Sequence, residues 1–151
     1  MHITARGDYA VRAALGLAAV YPATASTASL ADAQGMPRKF LEAILGDLRR
    51  ASLVRGQRGV DGGYVLTRLP TEITVGDILR AVDGPLAEVR GSRPEEVSYT
   101  GDAEHLQQLW VAVRSAVRGV LDNVTLSDLV RGRLPAHVRK LTTAPDAWQP
   151  R

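Results

Sequence analysis

Apolar and polar positions run through this chain first with a helical period and then with a strand period. From Asp8 to Val20, Ala10, Val11, Ala14, Leu15, Leu17 and Ala18 form one broad apolar face, and Pro22 stops the helix beyond Tyr21. Residues 28–34 predict a brief helix with Leu30 turned inward and Gly35 as its stop. Pro37 suits the first turn of the next helix, where Phe40, Leu41, Ile44, Leu45 and Leu48 recur at core spacing up to about Ala51. The period then changes. Residues 53–57 and 64–67 each alternate, and between them Gly59, Gly62 and Gly63 crowd into five positions. Glycines at that density make a tight turn, so the pattern predicts a β-hairpin whose tip carries Arg58. Helix, turn, helix and hairpin together outline a winged helix-turn-helix.

Farther along, Thr74-x-x-Asp77 reads as a capping box with Asp in place of Glu, opening a helix over 75–82 that Gly84-Pro85 ends. From 85 to 101 the pattern lapses into Gly, Pro, Ser and Glu, which predicts a flexible segment. A long helix is expected from about Asp102 to Asn123. Leu106, Trp110, Val113, Val117, Val120 and Val124 recur along it at alternating four- and three-residue steps. A stripe so narrow and long, beside so small a domain, predicts a dimer seam, although a single chain can also bury such a stripe against itself. Thr125-x-x-Asp128 caps a last short helix over 126–131. The expected fold is mainly α with a small β-hairpin wing, a winged helix-turn-helix domain followed by a long C-terminal dimerisation helix. Its divisions are 1–84 for the DNA-binding domain, 85–101 for a flexible effector or sensor segment, 102–132 for the dimerisation and short helices, and 133–151 for a disordered tail.

Charge sharpens this picture. Residues 1–70 hold 9 Lys and Arg against 5 Asp and Glu, whereas residues 71–151 hold 10 against 11. Within 37–58, Arg38, Lys39, Arg49, Arg50, Arg55 and Arg58 face only Glu42 and Asp47. Such a cluster is the footprint of phosphate contact, though a solvated helix face explains Arg49 and Arg50 equally well. The chain has no cysteine, which excludes disulfides, thiol catalysis and thiolate metal sites. No apolar run approaches the roughly 18–20 residues that span a bilayer, and the N-terminus has no signal-peptide core, so a cytoplasmic place is expected.

In a helix-turn-helix the first residues of the second helix meet base edges, and its first-turn amides face a phosphate. Here those residues are Pro37, Arg38 and Lys39, with Glu42 one turn in; Phe40 is assigned to the core. Arg38 or Lys39 can reach guanine acceptors, and Glu42 can accept from a cytosine amino group. An intrahelical ion pair of Glu42 with Arg38 or Lys39 accounts for the same residues about as well. At the wing tip the Arg58 guanidinium suits a narrow minor groove. Gly59, Gly62 and Gly63, with Tyr64, are placed where the wing meets the DNA backbone, although the glycines also serve a turn and nothing more. Asp61 repels phosphate unless it braces Arg58.

The segments Gly7-Asp8-Tyr9-Ala10-Val11-Arg12, Gln34-Gly35-Met36-Pro37-Arg38-Lys39-Phe40-Leu41-Glu42, Leu48-Arg49-Arg50-Ala51-Ser52-Leu53-Val54, Arg58-Gly59-Val60-Asp61-Gly62-Gly63-Tyr64 and Val120-Leu121-Asp122-Asn123-Val124-Thr125-Leu126-Ser127-Asp128-Leu129-Val130 occur in order over about residues 1–131. In this the chain resembles the Rrf-two family of dimeric bacterial winged-helix transcription regulators. The resemblance implies that Tyr9 lies near the phosphate backbone, Lys39 and Glu42 in the major groove, and Arg58 in the minor groove. It also implies a homodimer built on the helix containing Trp110. Cluster-binding members carry three cysteines between the fourth helix and the dimer helix. With the register set on Leu109-Trp110, the last of them falls at Glu104, and a histidine ligand of one branch falls at Gln107. His105 is out of register. No cofactor and no metal are therefore expected.

The leading expectation is a homodimeric regulator of double-stranded DNA, a repressor, switched by a small ligand beside the 85–101 segment or by a partner protein. The alternative is a winged-helix module that docks proteins without reading DNA, for which the basic residues 38, 39 and 58 are poorly suited. An enzyme is not expected. The histidines His2, His105 and His137 are scattered, and the glycine run lacks the lysine and strand-to-helix context of a nucleotide loop.

Overall fold

The computed structural model describes residues 1–150. Helix α1 (Ala5–Val20) starts where the Thr4 hydroxyl accepts from the Gly7 amide at 2.8 Å. Helix α2 (Thr27–Gln34) is capped by Ser26 and closed by Gly35 at φ +63. Helix α3 (Arg38–Arg50) lays Leu41, Ile44, Leu45 and Leu48 fully into the core beside Ala10, Ala13, Ala14 and Leu17 of α1. Each of those four large side chains contributes about 2 kcal/mol of apolar burial. Strands β1 (Val54–Gln57) and β2 (Gly63–Leu66) pair antiparallel, from Val54 opposite Leu66 to Gln57 opposite Gly63. The winged helix-turn-helix expected from the periodicity is present.

Helices α4 (Val75–Asp83) and α6 (Leu126–Val130) begin with matching capping boxes, Thr74 with Asp77 and Thr125 with Asp128. The two boxes lie side by side. The Val75 amide donates to the Val124 carbonyl and the Leu126 amide to the Ile73 carbonyl, each at 2.9 Å. Two helix starts far apart in sequence are thus stitched into one short antiparallel bridge, which satisfies amides no helix could satisfy internally. Between them, helix α5 (Leu106–Leu121) runs along the outside of the molecule, preceded by short 3-10 turns at Pro94–Glu96 and Gly101–Ala103.

The structure corrects two expectations. The long helix starts at Leu106 rather than near Asp102 and stops at Leu121, so Val124 lies beyond the helix and leaves the stripe's phase. Val124 is instead buried with Val75, Leu79 and Val138 of its own chain, and Val120 packs against the same cluster. The tail expected to be disordered from 133 includes a seventh helix, α7 (Ala136–Thr142). Val138 anchors it in that cluster, and His137 Nε2 lies 3.1 Å from the Gly119 carbonyl. Within the segment 85–101, Pro94 and Val97 are buried and Val89 is bridged to Ser92. Two isolated apolar anchors are too few to register as a periodic pattern, so the sequence alone hid this packing.

Candidate nucleic-acid interface

The first turn of α3 carries no side-chain cap, so its leading amides and the positive end of the helix dipole stay available to an anion. Pro37 occupies the N-cap position, and Arg38, Lys39 and Glu42 are all exposed. Glu42 forms no ion pair among the described residues. Phe40 is half-buried and meets Tyr9 edge to face, ring centroids 5.4 Å apart. Arg12 lies 5.2 Å over the Tyr9 ring while its guanidinium holds the Gln34 carbonyl and side chain. Tyr9 is thereby fixed between α1 and the start of α3, a precision that its sequence context does not reveal.

The wing is clamped to the loop before α2. Ala25 and Tyr64 exchange both backbone hydrogen bonds, at 2.8 and 2.9 Å, and the Thr24 hydroxyl donates to the Asp61 carbonyl at 2.6 Å. Gly63 sits at φ +144, and a Cβ there would lie 2.4 Å from the Ala25 carbonyl oxygen. This close backbone approach is what requires glycine at the position. Gly59 and Gly62 close the tip through a 3.0 Å hydrogen bond, while Tyr64 packs partly into the core. Arg58 and Val60 project from the tip, and Asp61 does not brace Arg58 with an ion pair.

Between the end of α3 and the wing opens a concavity of 440 Å³ lined by Arg49, Gly56, Gln57, Arg58, Gly63 and Tyr64. Of the six cations in 37–58, Arg50 is held by Asp47, whose carboxylate also takes Arg6 from α1. Arg38, Lys39, Arg49, Arg55 and Arg58 have no ion-pair partner among the described residues. Arg49 is the residue that sequence reasoning undervalued. Only the folding back of the hairpin brings it beside Arg58.

Helix α5 buries none of its sixteen residues. Leu106, Trp110, Val117 and Val120 are half-buried, and the Trp110 indole donates to the Tyr99 hydroxyl at 3.1 Å. The bare apolar face is therefore rotated from the expected stripe. Leu109 is 52% exposed and Val113 38%, with the small residues Ala112 and Ala116 between and beside them. Val113 is the member of the expected stripe left most open.

Arg114 of α5 ties the turn at 94–96 to the helix through Glu95. The Glu95 carboxyl lies below the ordinary glutamate range, owing first to a backbone hydrogen bond at its own residue and then to Arg114. Because the folded value is lowered, this tether is complete above the ordinary 4.5 and is lost as pH falls through the lowered value. Hydrogen-exchange protection of the Glu96 amide, which donates to the Arg93 carbonyl at 2.9 Å, is expected to stay level from about pH 7 to pH 5 and to fall only as the pH drops below 4.5. A decline already complete at neutral pH would contradict that assignment.

An iron–sulfur cluster does not fit these residues. The chain supplies no thiolate, and among the described residues no group of three or more His, Asp or Glu side chains converges as a metal site. Gln107 donates its side-chain amide to the Glu95 carbonyl at 3.1 Å. No described helix is long and apolar enough to cross a membrane.

Comparison with known proteins agrees with this geometry. The model of the Rrf2 family, described as iron-dependent transcriptional regulators, matches residues 3–132. The HTH-type transcriptional regulator Rv1287 of Mycobacterium tuberculosis is 45% identical over 142 residues, covering 93% of this chain and 88% of its own. The solved structure of CymR, the global cysteine regulator of B. subtilis, superimposes with a TM-score of 0.75 at 34% identity, over 87% of this chain and 98% of CymR. The structure of T. potens IscR gives 0.71 at 32% identity, over 87% and 88%. With its helix-turn-helix, its wing and a family match spanning nearly the whole fold, the chain belongs to the Rrf2 family of DNA-binding transcriptional regulators, which are not enzymes.

Proposed function

We propose that two copies of the chain pair through α5 and bind one pseudo-palindromic duplex as a cytoplasmic repressor. Each α3 lies in a major groove, with Arg38 and Lys39 reading guanine edges, Glu42 accepting from a cytosine amino group, and Pro37 at the phosphate-facing first turn. Tyr9 stands beside the phosphate backbone. Each wing, with Gly59, Gly62, Gly63 and Tyr64 shaping it, carries Arg58 into the adjacent minor groove. The observation that carries this reading is the set of five unpaired cations on α3 and the wing, two of which share one concavity. For pairing, the support is α5: sixteen residues, none buried in the protomer, and an apolar side facing solvent.

Fluorescence anisotropy on DNA from the protein's own promoter tests the reading. The logarithm of affinity should fall linearly with the logarithm of salt concentration, by close to one unit per phosphate neutralised. Arg58→Ala is expected to weaken binding by roughly 10- to 100-fold, the cost of about 1–3 kcal/mol for one good groove contact. Affinity indifferent both to salt and to Arg58 would leave a protein-docking module as the better account.

A further inference from the structure

A second basic surface lies apart from α3 and the wing. A cavity of 320 Å³ opens between the end of α4, residues 84–88, residues 93–94 and the middle of α5. Four arginines line it, Arg80, Arg93, Arg114 and Arg118, against a single carboxylate, Glu88. Arg80 is engaged by Asp122 at 2.7 Å and Arg114 by Glu95, but neither of those carboxylates lines the cavity. Arg93 and Arg118 have no ion-pair partner among the described residues. Pro85, Leu86, Ala87 and Pro94 supply an apolar wall.

This combination has a chemical meaning. Guanidinium groups present paired N–H donors that match carboxylate and phosphate oxygens, and several around one small space repel each other until an anion arrives. The volume lies at the low end of the roughly 300–1,000 Å³ that small-molecule sites occupy, far too confined for a duplex. The apolar wall requires more than an inorganic ion to fill it.

The cavity also sits at a joint. One side belongs to α4, which packs with α1 in the DNA-binding half; the other belongs to α5. Besides the packing of Val75 and Leu79 with Val120, the two helices are linked by the Arg80–Asp122 pair, which fits closely because residue 76 is glycine: a Cβ there would lie 2.0 Å from Asp122 Oδ1.

We propose that this cavity binds a small organic dianion, a phosphate monoester or a dicarboxylate with a short apolar body, and that the bound anion sets the angle between α4 and α5. This rests on the reading of α5 as the dimer helix, since that angle then governs the spacing of the two α3 helices on DNA.

Isothermal titration calorimetry on the intact protein at constant ionic strength tests the site without DNA, using phenyl phosphate, succinate and the uncharged benzyl alcohol. One dianion at least should bind once per chain with Kd below about 1 mM, and benzyl alcohol should not bind. Arg118→Gln and Arg93→Gln, each on an exposed side chain that leaves the fold intact by circular dichroism, should each weaken binding about 10-fold, worth about 1.4 kcal/mol. Arg58→Ala should leave it unchanged, which separates the cavity from the DNA-facing surface. The preferred probe identifies the acid: phenyl phosphate for a phosphate ester, succinate for a dicarboxylate. Binding of neither dianion, or binding insensitive to Arg93 and Arg118, overturns the site. Anisotropy with and without the better probe then tests the coupling: a change of about 3-fold or more in DNA affinity, abolished in Arg118→Gln, supports it, and no change overturns it. Failure of the wild-type protein to bind DNA would instead sink the regulator reading and leave the calorimetric result standing.

Discussion

The paired substitution Leu109→Asp and Val113→Asp is expected to yield a folded but monomeric protein that binds its operator about 100-fold more weakly than the wild type, since covalent-like linkage of two half-site readers is what raises avidity by roughly 10²–10⁴. Both side chains are exposed on α5 of the single protomer, so placing charge there costs the monomer little. In a helix pair the same carboxylates would be desolvated opposite their own symmetry mates, and like charges held together without partners are strongly unfavourable. Light scattering coupled to size exclusion reads the mass, thermal melting reads the fold, and anisotropy reads DNA binding. A variant that stays dimeric at micromolar concentration would move the seam to another face of the molecule. The half-buried Trp110 is a poorer probe, because its hydrogen bond to Tyr99 makes its loss destabilising in the monomer as well.

Gly63→Ala should be the most damaging single-methyl change in the wing. Its φ of +144 disfavours any side chain, by about 1–3 kcal/mol. The added Cβ also meets the Ala25 carbonyl oxygen at 2.4 Å, its carbon at 2.6 Å and the Ser26 amide nitrogen at 2.9 Å. These are backbone atoms, which cannot swing aside as a side-chain end can. The two Ala25–Tyr64 hydrogen bonds would have to lengthen or break, at about 1 kcal/mol each. A total of about 3–5 kcal/mol corresponds to a fall in Tm of roughly 6–20 °C for a domain of this size. Gly59→Ala provides the control: its φ of +113 is also unfavourable, but nothing lies within 4 Å of its Cβ position. Equal melting temperatures for the two variants would show that the clamp between wing and α2 loop adds nothing. Because the clamp positions Arg58, Gly63→Ala is also expected to weaken DNA binding beyond what its lower stability explains.

Several parts of this molecule were legible from local pattern. The stripe Leu41, Ile44, Leu45 and Leu48 is buried as its spacing requires, because a helix that must hide one face repeats its apolar residues at 3.6. The hairpin itself was legible from two short runs around a glycine-rich tip, although burial along its strands does not alternate. Both Thr-x-x-Asp boxes form as written, since capping is decided within four residues. The choice for Glu42 between an ion pair and solvent was open in the sequence, because flexible side chains at that spacing allow either; in the fold it stands free. Val124 failed for the opposite reason. Extending a stripe past Leu121 assumes continued helix, and the turn at Asp122 and Asn123 breaks the phase.

What local chemistry settles here is the kind of element, the cationic character of α3 and the wing, and the lack of any thiolate for a metal cluster. These depend on residue type and on neighbours only a few positions away. What had to await the folded chain is every property that joins distant positions. Arg49 and Arg58 line one concavity because the hairpin turns back over α3, and glycine is required at 63 because Ala25 passes within van der Waals reach. The bare side of α5 is Leu109 and Val113 because the 94–99 segment already covers its other flank, and four arginines surround one cavity because α4 and α5 converge there. Periodicity identifies which faces are apolar, but which neighbour covers them, and which is left for a partner, is a matter of packing among segments that the linear order keeps apart.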